Sequence, residues 1–231
     1  MKNIIATTLC TMLVMASATG RAQDYPHAYP REGAVEIFQN ERVIVWEVIW
    51  ADGVPQPYHQ HRYDMTGVFL SWGPLKVTRL DDTFTLSEEP FDVPSVFLLN
   101  KGVTHKEESI GAPDRHAIMI DMKDVAGPPA VMRTDVPAFP GDHAEEILDT
   151  QRVKVWDLQL EPGQELPMHV HPTDTVAIAF TGGAVRFHVE GGEVLSTTLE
   201  EKDIGFYPAG TAHAVAVVSG APRLMVYELK N

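Results

Sequence analysis

The chain has 231 residues, of which 18 are lysine or arginine and 32 are aspartate or glutamate, so its formal net charge is −14. A field of this sign repels nucleic acid and anionic membranes, and neither is predicted as a partner, although a bound metal could still attract an anionic small molecule. Hydrophobic residues make up 44% of the chain, and its length suits two small domains rather than one large one.

The N-terminal segment, residues 1–22, has the pattern of a secretory signal peptide. Lys2 provides the basic start, a mainly apolar run follows, and small residues lead to Ala22, with Ala18 as the alternative cleavage site. The apolar run is too short to cross a membrane comfortably. We therefore predict cleavage after Ala22, export to a bacterial periplasm or medium, and no membrane association afterwards. Cys10 would leave with this segment, so the mature chain would contain no cysteine.

Residues 23–32 are predicted to form an N-terminal arm, and short β-type stretches dominate the rest of the chain. Positions 42–50 and 151–160 are examples, with β-branched and aromatic residues in near alternation. Glycine and proline separate these stretches, and no segment keeps an apolar period of 3.6 residues over three turns. The chain is therefore predicted to be all-β, as a barrel or a sandwich of short strands.

A motif of the form Gly-x5-His-x-His-x2-Asp occurs twice, with each position of the second copy 110 residues after the first. The two copies consist of Gly53, His59, His61 and Asp64, and of Gly163, His169, His171 and Asp174. A Gly-x-x-His step follows each copy and ends at His105 in the first and at His213 in the second. Six of the ten histidines therefore occupy repeated positions, which chance placement explains poorly.

This repeat divides the chain into two homologous units, residues 33–124 and 143–231. A period near 110 residues indicates a duplicated domain, because solenoid repeats have units of roughly 20–50 residues. Between the units, residues 125–142 contain four prolines and two glycines and are predicted to be a linker. We expect pseudo-twofold symmetry, with the units packed by strand exchange or face contact and with an arm that could reach a neighbouring barrel.

The repeated histidines predict one metal site in each unit. Side chains two residues apart on a strand point to the same face, so His-x-His is a chelating pair that a third imidazole from another strand can complete. The predicted ligands are His59, His61 and His105 in the first unit, and His169, His171 and His213 in the second. Three protein ligands leave positions open, as in catalytic sites. Imidazole ligands suit iron, zinc, copper or nickel, whereas manganese prefers more oxygen.

These motifs resemble those of the cupins, and specifically of the bicupins, in which two jelly-roll barrels are fused. The first cupin motif, Gly-x5-His-x-His-x3/4-Glu-x6-Gly, is similar to residues 53–73 and 163–182. The second, Gly-x5-Pro-x-Gly-x2-His-x3-Asn, is similar to the segment around Pro208, whereas Asn100 takes the proline position in the first unit. The resemblance covers nearly all of the mature chain and implies a duplicated cupin-type double-stranded β-helix.

The chain departs from the cupin pattern at the glutamate ligand. Four residues after the second histidine it has Met65 and Thr175, and the nearby acids, Asp64 and Asp174, come one position early. Aspartate bonds readily to the backbone two residues on, so both are predicted to brace a turn outside the coordination shell. Direct ligation by these aspartates is the alternative.

The resemblance to three-histidine cupin dioxygenases and lyases implies a metalloenzyme for a small oxygenated organic substrate, which can be anionic. The alternative is a non-catalytic bicupin that binds or senses a small molecule. The sequence identifies no catalytic residue, because it lacks a Gly-x-Ser-x-Gly elbow, a glycine-rich phosphate loop and, after cleavage, a thiol. A homo-oligomer is compatible with the sequence, and the other four histidines have no partner spacing.

Overall fold

Two sets of antiparallel strands form the protein, which a computed structural model describes for residues 24–140 and 143–231. No helix occurs among these described residues, and the all-β prediction is confirmed. The predicted signal peptide lies outside them. No described helix is long and apolar enough to span a membrane.

The first unit is built from nine strands in two layers. The strands are β1 (Ala34–Gln39), β2 (Val43–Trp50), β3 (His59–Gln60), β4 (Asp64–Ser71), β5 (Leu75–Arg79), β6 (Phe84–Ser87), β7 (Ser95–Leu99), β8 (Thr104–Ser109) and β9 (Arg115–Met122). One sheet has the order β1-β2-β9-β4-β7, and the other has the order β3-β8-β5-β6. Their facing surfaces enclose the interior of a barrel.

The second unit repeats this plan with longer strands. They are β10 (Ala144–Asp149), β11 (Val153–Gln159), β12 (Glu165–Val170), β13 (Thr175–Val189), β14 (Val194–Leu199), β15 (Ile204–Tyr207) and β16 (Ala212–Leu229). The order is β10-β11-β16-β13-β14, with β12 paired to β16 and β15 paired to β13. Strands β13 and β16 each run through both layers, so one sheet wraps round to form the barrel.

The two barrels pack face to face through an apolar interface. Strand β2 contributes to this interface on one of its faces. Val43 and Val45 face the second barrel, while Trp46 faces the interior of the first barrel. A strand buried on both faces has the near-continuous apolar sequence seen here. The fully buried partners from the second barrel include Ile178 and Tyr227. No described strand pairs with a strand of the other barrel, so face contact rather than strand exchange joins them.

Each barrel has an extended segment laid along its edge. In the arm, the Ala28 amide donates to the Gln60 carbonyl at 3.3 Å. At the end of the linker, the Phe139 amide donates to the Val170 carbonyl at 2.9 Å. Tyr29, which like Phe139 is at most 5% exposed, enters the first barrel. The arm therefore packs on its own barrel, although its reach to a neighbouring barrel was also expected from the sequence.

Candidate metal centres

Each histidine triad forms where two strands pair. His59 of β3 lies directly opposite His105 of β8, and His169 of β12 lies directly opposite His213 of β16. The turn before each third histidine contains a glycine in the left-handed region, with φ of +86° at Gly102. Glycine adopts this conformation without steric cost, so the Gly-x-x-His step lets the chain turn sharply and return to the site.

The second histidine of each pair completes a compact cluster. In each of the two triads the potential ligand atoms all lie within 4.8 Å of one another. His61 Nε2 lies 3.2 Å from His105 Nε2, and all six rings are at most 7% exposed. The structure therefore brings the predicted histidines together in both barrels, and these two triads could each hold a metal ion.

Hydrogen bonds orient the first histidine of each triad. The Nδ1 atoms of His59 and His169 lie 3.0 and 2.8 Å from the carbonyl oxygens of Pro57 and Pro167. A ring that donates from Nδ1 presents Nε2 as a lone pair to the site. His169 Nε2 is buried and has no hydrogen-bond partner. A metal ion would satisfy this atom, so the donor set fits a metal.

Burial keeps several of these rings neutral. Desolvation, aided by neighbouring histidines, lowers the pKa of His61 to about 3 and that of His213 to about 2. Desolvation also lowers the pKa of His169 to about 4. Since a metal binds neutral imidazole, these three rings need not lose a proton before they bind a metal at neutral pH.

Asp64 and Asp174 are placed outside both clusters. Asp64 Oδ1 accepts from the Lys101 amide at 2.9 Å, and Asp174 Oδ1 accepts from the Ala209 amide at 3.0 Å. Each aspartate thus ties the end of the His-x-His segment to the turn that precedes the third histidine. Neither belongs to the groups of potential ligand atoms found among the described residues. Both aspartates lie outside the clusters, as the sequence predicts, but they bond to a turn 37 and 35 residues further along rather than to the backbone two residues on.

Glu107 is a residue of the first site that the sequence analysis missed. Its Oε1 lies 3.4 Å from His105 Nε2, and its Oε2 accepts from Trp50 Nε1 at 2.6 Å and from Arg31 at 3.0 Å. Burial alone would raise the pKa of Glu107, but His105 and Arg31 hold it well below its usual range. The signal was the His105-x-Glu107 spacing, which places both side chains on one face.

Glu107 makes the two centres chemically different. The residue two positions after the third histidine is a carboxylate in the first barrel but Val215 in the second. The first centre therefore has a buried carboxylate beside His105, although Glu107 does not belong to the group of potential ligand atoms. The second centre has three imidazoles, with Glu228 Oε1 3.7 Å from the Nδ1 side of His171.

The interiors of the two barrels also differ. A cavity of about 310 Å³ adjoins His169, His171 and His213 and is otherwise lined mostly by apolar side chains, among them Leu166, Val185 and Phe187. In the first barrel, the arm places Arg31 over the rings of Tyr29 and Trp50, 5.6 and 5.3 Å from their centroids. The arm thus contributes side chains to the interior of the first barrel, while the second offers space for a small molecule.

The fold and the two triads together define a duplicated β-barrel protein with two potential metal centres. No protein-family model matches the sequence, and no curated protein does so either. Solved structures are similar across most of the chain, at 10–13% sequence identity. The chain has the fold of the cupins, in its two-barrel form, and the resemblance inferred from the motifs is confirmed.

Three of these structures illustrate the likeness. An oxalate decarboxylase in complex with formate from Lactobacillus farciminis has a TM-score of 0.61 and 11% identity, covering 92% of this chain and 87% of its own. AerE from Microcystis aeruginosa has a TM-score of 0.57 and 13% identity, covering 90% and 99%. A mutant of salicylate 1,2-dioxygenase from Pseudoaminobacter salicylatoxidans has a TM-score of 0.55 and 10% identity, covering 81% and 71%.

Proposed function

We propose that the protein is an exported, metal-dependent enzyme whose reactive centre is the triad of His169, His171 and His213. The reaction is of the dioxygenase or lyase type, on a small oxygenated organic substrate. The cavity of about 310 Å³ beside this triad carries the proposal. A buried, mainly apolar cavity with a few convergent polar groups is the usual form of a small-molecule site.

The chemistry of the cavity wall favours a particular kind of substrate. Apart from the three histidines, no lining residue carries an ionisable acid or base other than the phenol of Tyr207. An apolar wall binds an apolar body, so the oxygen atoms of the substrate belong at the histidine end. A phenol, an enol or a diketone has such an apolar body with oxygen atoms at one end, so it fits the cavity better than a small dicarboxylate. Of the similar enzymes, the one named for salicylate has the more suitable substrate chemistry.

The residues of the cavity have distinct roles in this proposal. The three histidines hold the metal, which when bound would act as a Lewis acid for a substrate oxygen and, if it is iron or copper, could also bring O₂ to the substrate. Iron, copper, zinc and nickel all suit imidazole ligands. Tyr207 stacks on His213 with centroids 4.6 Å apart, and burial raises the pKa of its phenol. That phenol stays protonated, and the apolar wall limits competing water.

The first barrel fits a second role in the same protein. Tyr29 and Arg31 enter its interior, and Glu107 provides an oxygen donor beside His105. These features favour a metal centre that is held without turnover. A protein in which both barrels only bind or sense a ligand is the alternative to an enzyme.

The test is reconstitution of the metal-free mature protein with iron, copper, zinc, nickel or manganese, each screened against phenols, diketones and dicarboxylates. Oxygen uptake and product mass are the measurements. His171→Ala and His61→Ala form a matched pair, because they remove equivalent ligands from the two barrels. We expect turnover to be lost in His171→Ala and kept in His61→Ala. Ligand binding without turnover under any metal would favour the binding protein, and loss only in His61→Ala would move the reactive centre to the first barrel.

A further inference from the structure

Two ion pairs cross the interface between the barrels in a reciprocal pattern. Arg42 of the first barrel places Nε 3.1 Å from Asp174 Oδ2 in the second. Arg152 of the second barrel places Nε 3.0 Å from Asp64 Oδ2 in the first. The arginines and the aspartates are each 110 positions apart in the sequence. The same contact is therefore made twice, once in each direction.

Each of these aspartates also holds the metal-binding loops of its own barrel. Asp174 comes three residues after His171, and its other oxygen accepts from Ala209, in the turn that leads to His213. The same turn is joined to the triad directly, since the Gly210 amide donates to the His171 carbonyl at 2.9 Å. The carboxylate therefore links the segments that carry two different ligands.

The first barrel repeats these connections. Asp64 comes three residues after His61 and accepts from Lys101, in the turn before His105. The Gly102 amide donates to the His61 carbonyl at 2.7 Å. The carboxylate end of each link is largely shielded from solvent, with 14% of the Asp64 side chain and 6% of the Asp174 side chain exposed. Such contacts are weakened less by salt than exposed ion pairs are.

We infer that Arg42 and Arg152 are crossed positioning residues, each of which sets the metal affinity of the triad in the opposite barrel. The arginine fixes the aspartate, and the aspartate fixes the spacing between the His-x-His segment and the third histidine. Because outer contacts orient metal ligands, loss of the arginine should loosen a site to which it does not itself bind. This inference rests on the metal binding that the proposed function assumes, but not on turnover.

The experiment measures metal affinity by competition with a chromophoric chelator, using Zn²⁺ as the probe. Proteins with one working triad separate the sites: His59→Ala/His61→Ala leaves the second site, and His169→Ala/His171→Ala leaves the first. We expect Arg42→Met to weaken the second site roughly tenfold, at the lower end of what loss of an outer partner costs, and to leave the first site unchanged. Arg152→Met should do the reverse, and Arg→Lys at either position should restore part of the affinity.

Two controls distinguish positioning from general loosening of the interface. Lys202→Met removes another ion pair between the barrels, from Lys202 Nζ to Glu47 Oε1 at 2.8 Å, which touches neither metal loop. It should alter neither affinity. In an Asp174→Ala background, Arg42→Met should have little further effect, because coupled residues are not additive. Far-ultraviolet circular dichroism of each metal-free variant verifies that it is folded.

The outcomes separate this inference from the proposed function. Suppose that both one-triad proteins bind Zn²⁺. If an arginine variant then lowers the Zn²⁺ affinity of the triad in its own barrel, of both triads equally or of neither triad, the crossed positioning is wrong and the enzyme proposal stands. If Lys202→Met has the same effect as Arg42→Met, the positioning role is also wrong. If neither one-triad protein binds Zn²⁺, both proposals fail together.

Discussion

Asp174 stands one position before the place where the cupin motif has its glutamate ligand, and its two oxygens are engaged by Ala209 and Arg42. A carboxylate held in this way orients the loops that carry the histidines. It differs in this respect from His171, whose ring belongs to the cluster of potential ligand atoms. The two residues should therefore respond differently to substitution.

We expect His171→Ala to lose the metal of the second barrel, whereas Asp174→Ala should keep it with an affinity lowered roughly 10–100-fold. The measurement is metal content by plasma mass spectrometry at saturating and at limiting metal. Asp64→Ala is the matched control and should affect the first barrel only. An Asp174→Ala protein as metal-poor as His171→Ala under saturation would show that the aspartate is a direct ligand.

Glu107 is a buried carboxylate that forms an ion pair with Arg31. Removing one member of a buried pair leaves an uncompensated charge, which costs roughly 3–5 kcal/mol. We expect Glu107→Gln to lower the free energy of unfolding of the metal-free protein by about this amount. The double variant Glu107→Gln/Arg31→Met should recover part of the loss. Denaturant unfolding gives both values, and a double variant that is no more stable than Glu107→Gln would contradict the argument.

The side chains that the sequence identified are those that the duplication repeats. All six triad histidines came from one spacing found twice, and the distance between paired strands then brought them together. Glu107 was not predicted as a site residue because the equivalent position in the second half is Val215, so the repeat does not include it. Arg42 and Arg152 do repeat, but their partners lie in the other barrel. Sequence spacing alone does not reveal a contact made across an interface.

Among the larger elements, the linker is where sequence reasoning was weakest. Its four prolines indicate irregular structure, and its described part, residues 125–140, contains no β-strand. Its last residues nevertheless run along β12, where Ala138 forms an isolated bridge with Val170. Phe139 then packs 4.8 Å from the ring of His171 and lines the cavity. The proline content of the linker predicts that it lacks regular strand pairing. It does not predict where an apolar side chain of the linker, such as Phe139, is buried.

We expect Phe139→Ala to destabilise the protein by roughly 3–5 kcal/mol, because it removes a buried aromatic ring and leaves a space beside the triad. The same variant should bind bulkier apolar ligands in the second barrel. Met132→Ala, on the same linker but at a side chain 76% exposed, is the control and should change stability by less than about 0.5 kcal/mol. Denaturant unfolding distinguishes them, and equal losses would contradict the packing described for Phe139.

At the scale of the whole molecule, the apolar interface should make the two barrels unfold together. Ile178 lies in the interface cluster on the side of the second barrel, and Trp46, Trp50 and Trp72 all lie in the first. In a Trp156→Phe background, these tryptophans report on the first barrel alone. We expect Ile178→Ala to lower the unfolding midpoint that they report, at a cost of about 2–5 kcal/mol. An unchanged midpoint would mean that the barrels unfold independently.

Export is the remaining prediction for the whole chain. We expect protein isolated from its native host to begin at Gln23, after cleavage at Ala22, and to be recovered outside the cytoplasm. Intact mass and N-terminal sequencing provide the measurement. A chain from the cytoplasm that still begins at Met1 would overturn both the localisation and the expected absence of cysteine.

The crossed pairs of Arg42 with Asp174 and of Arg152 with Asp64 have the pattern of an isologous contact, in which residue i meets j while j meets i. Two identical single-barrel chains related by a dyad would form the same pairs. Joining such protomers in one polypeptide removes the requirement that their pockets remain identical. A carboxylate can then occupy position 107 and a valine position 215, while both halves keep the contacts that join the barrels.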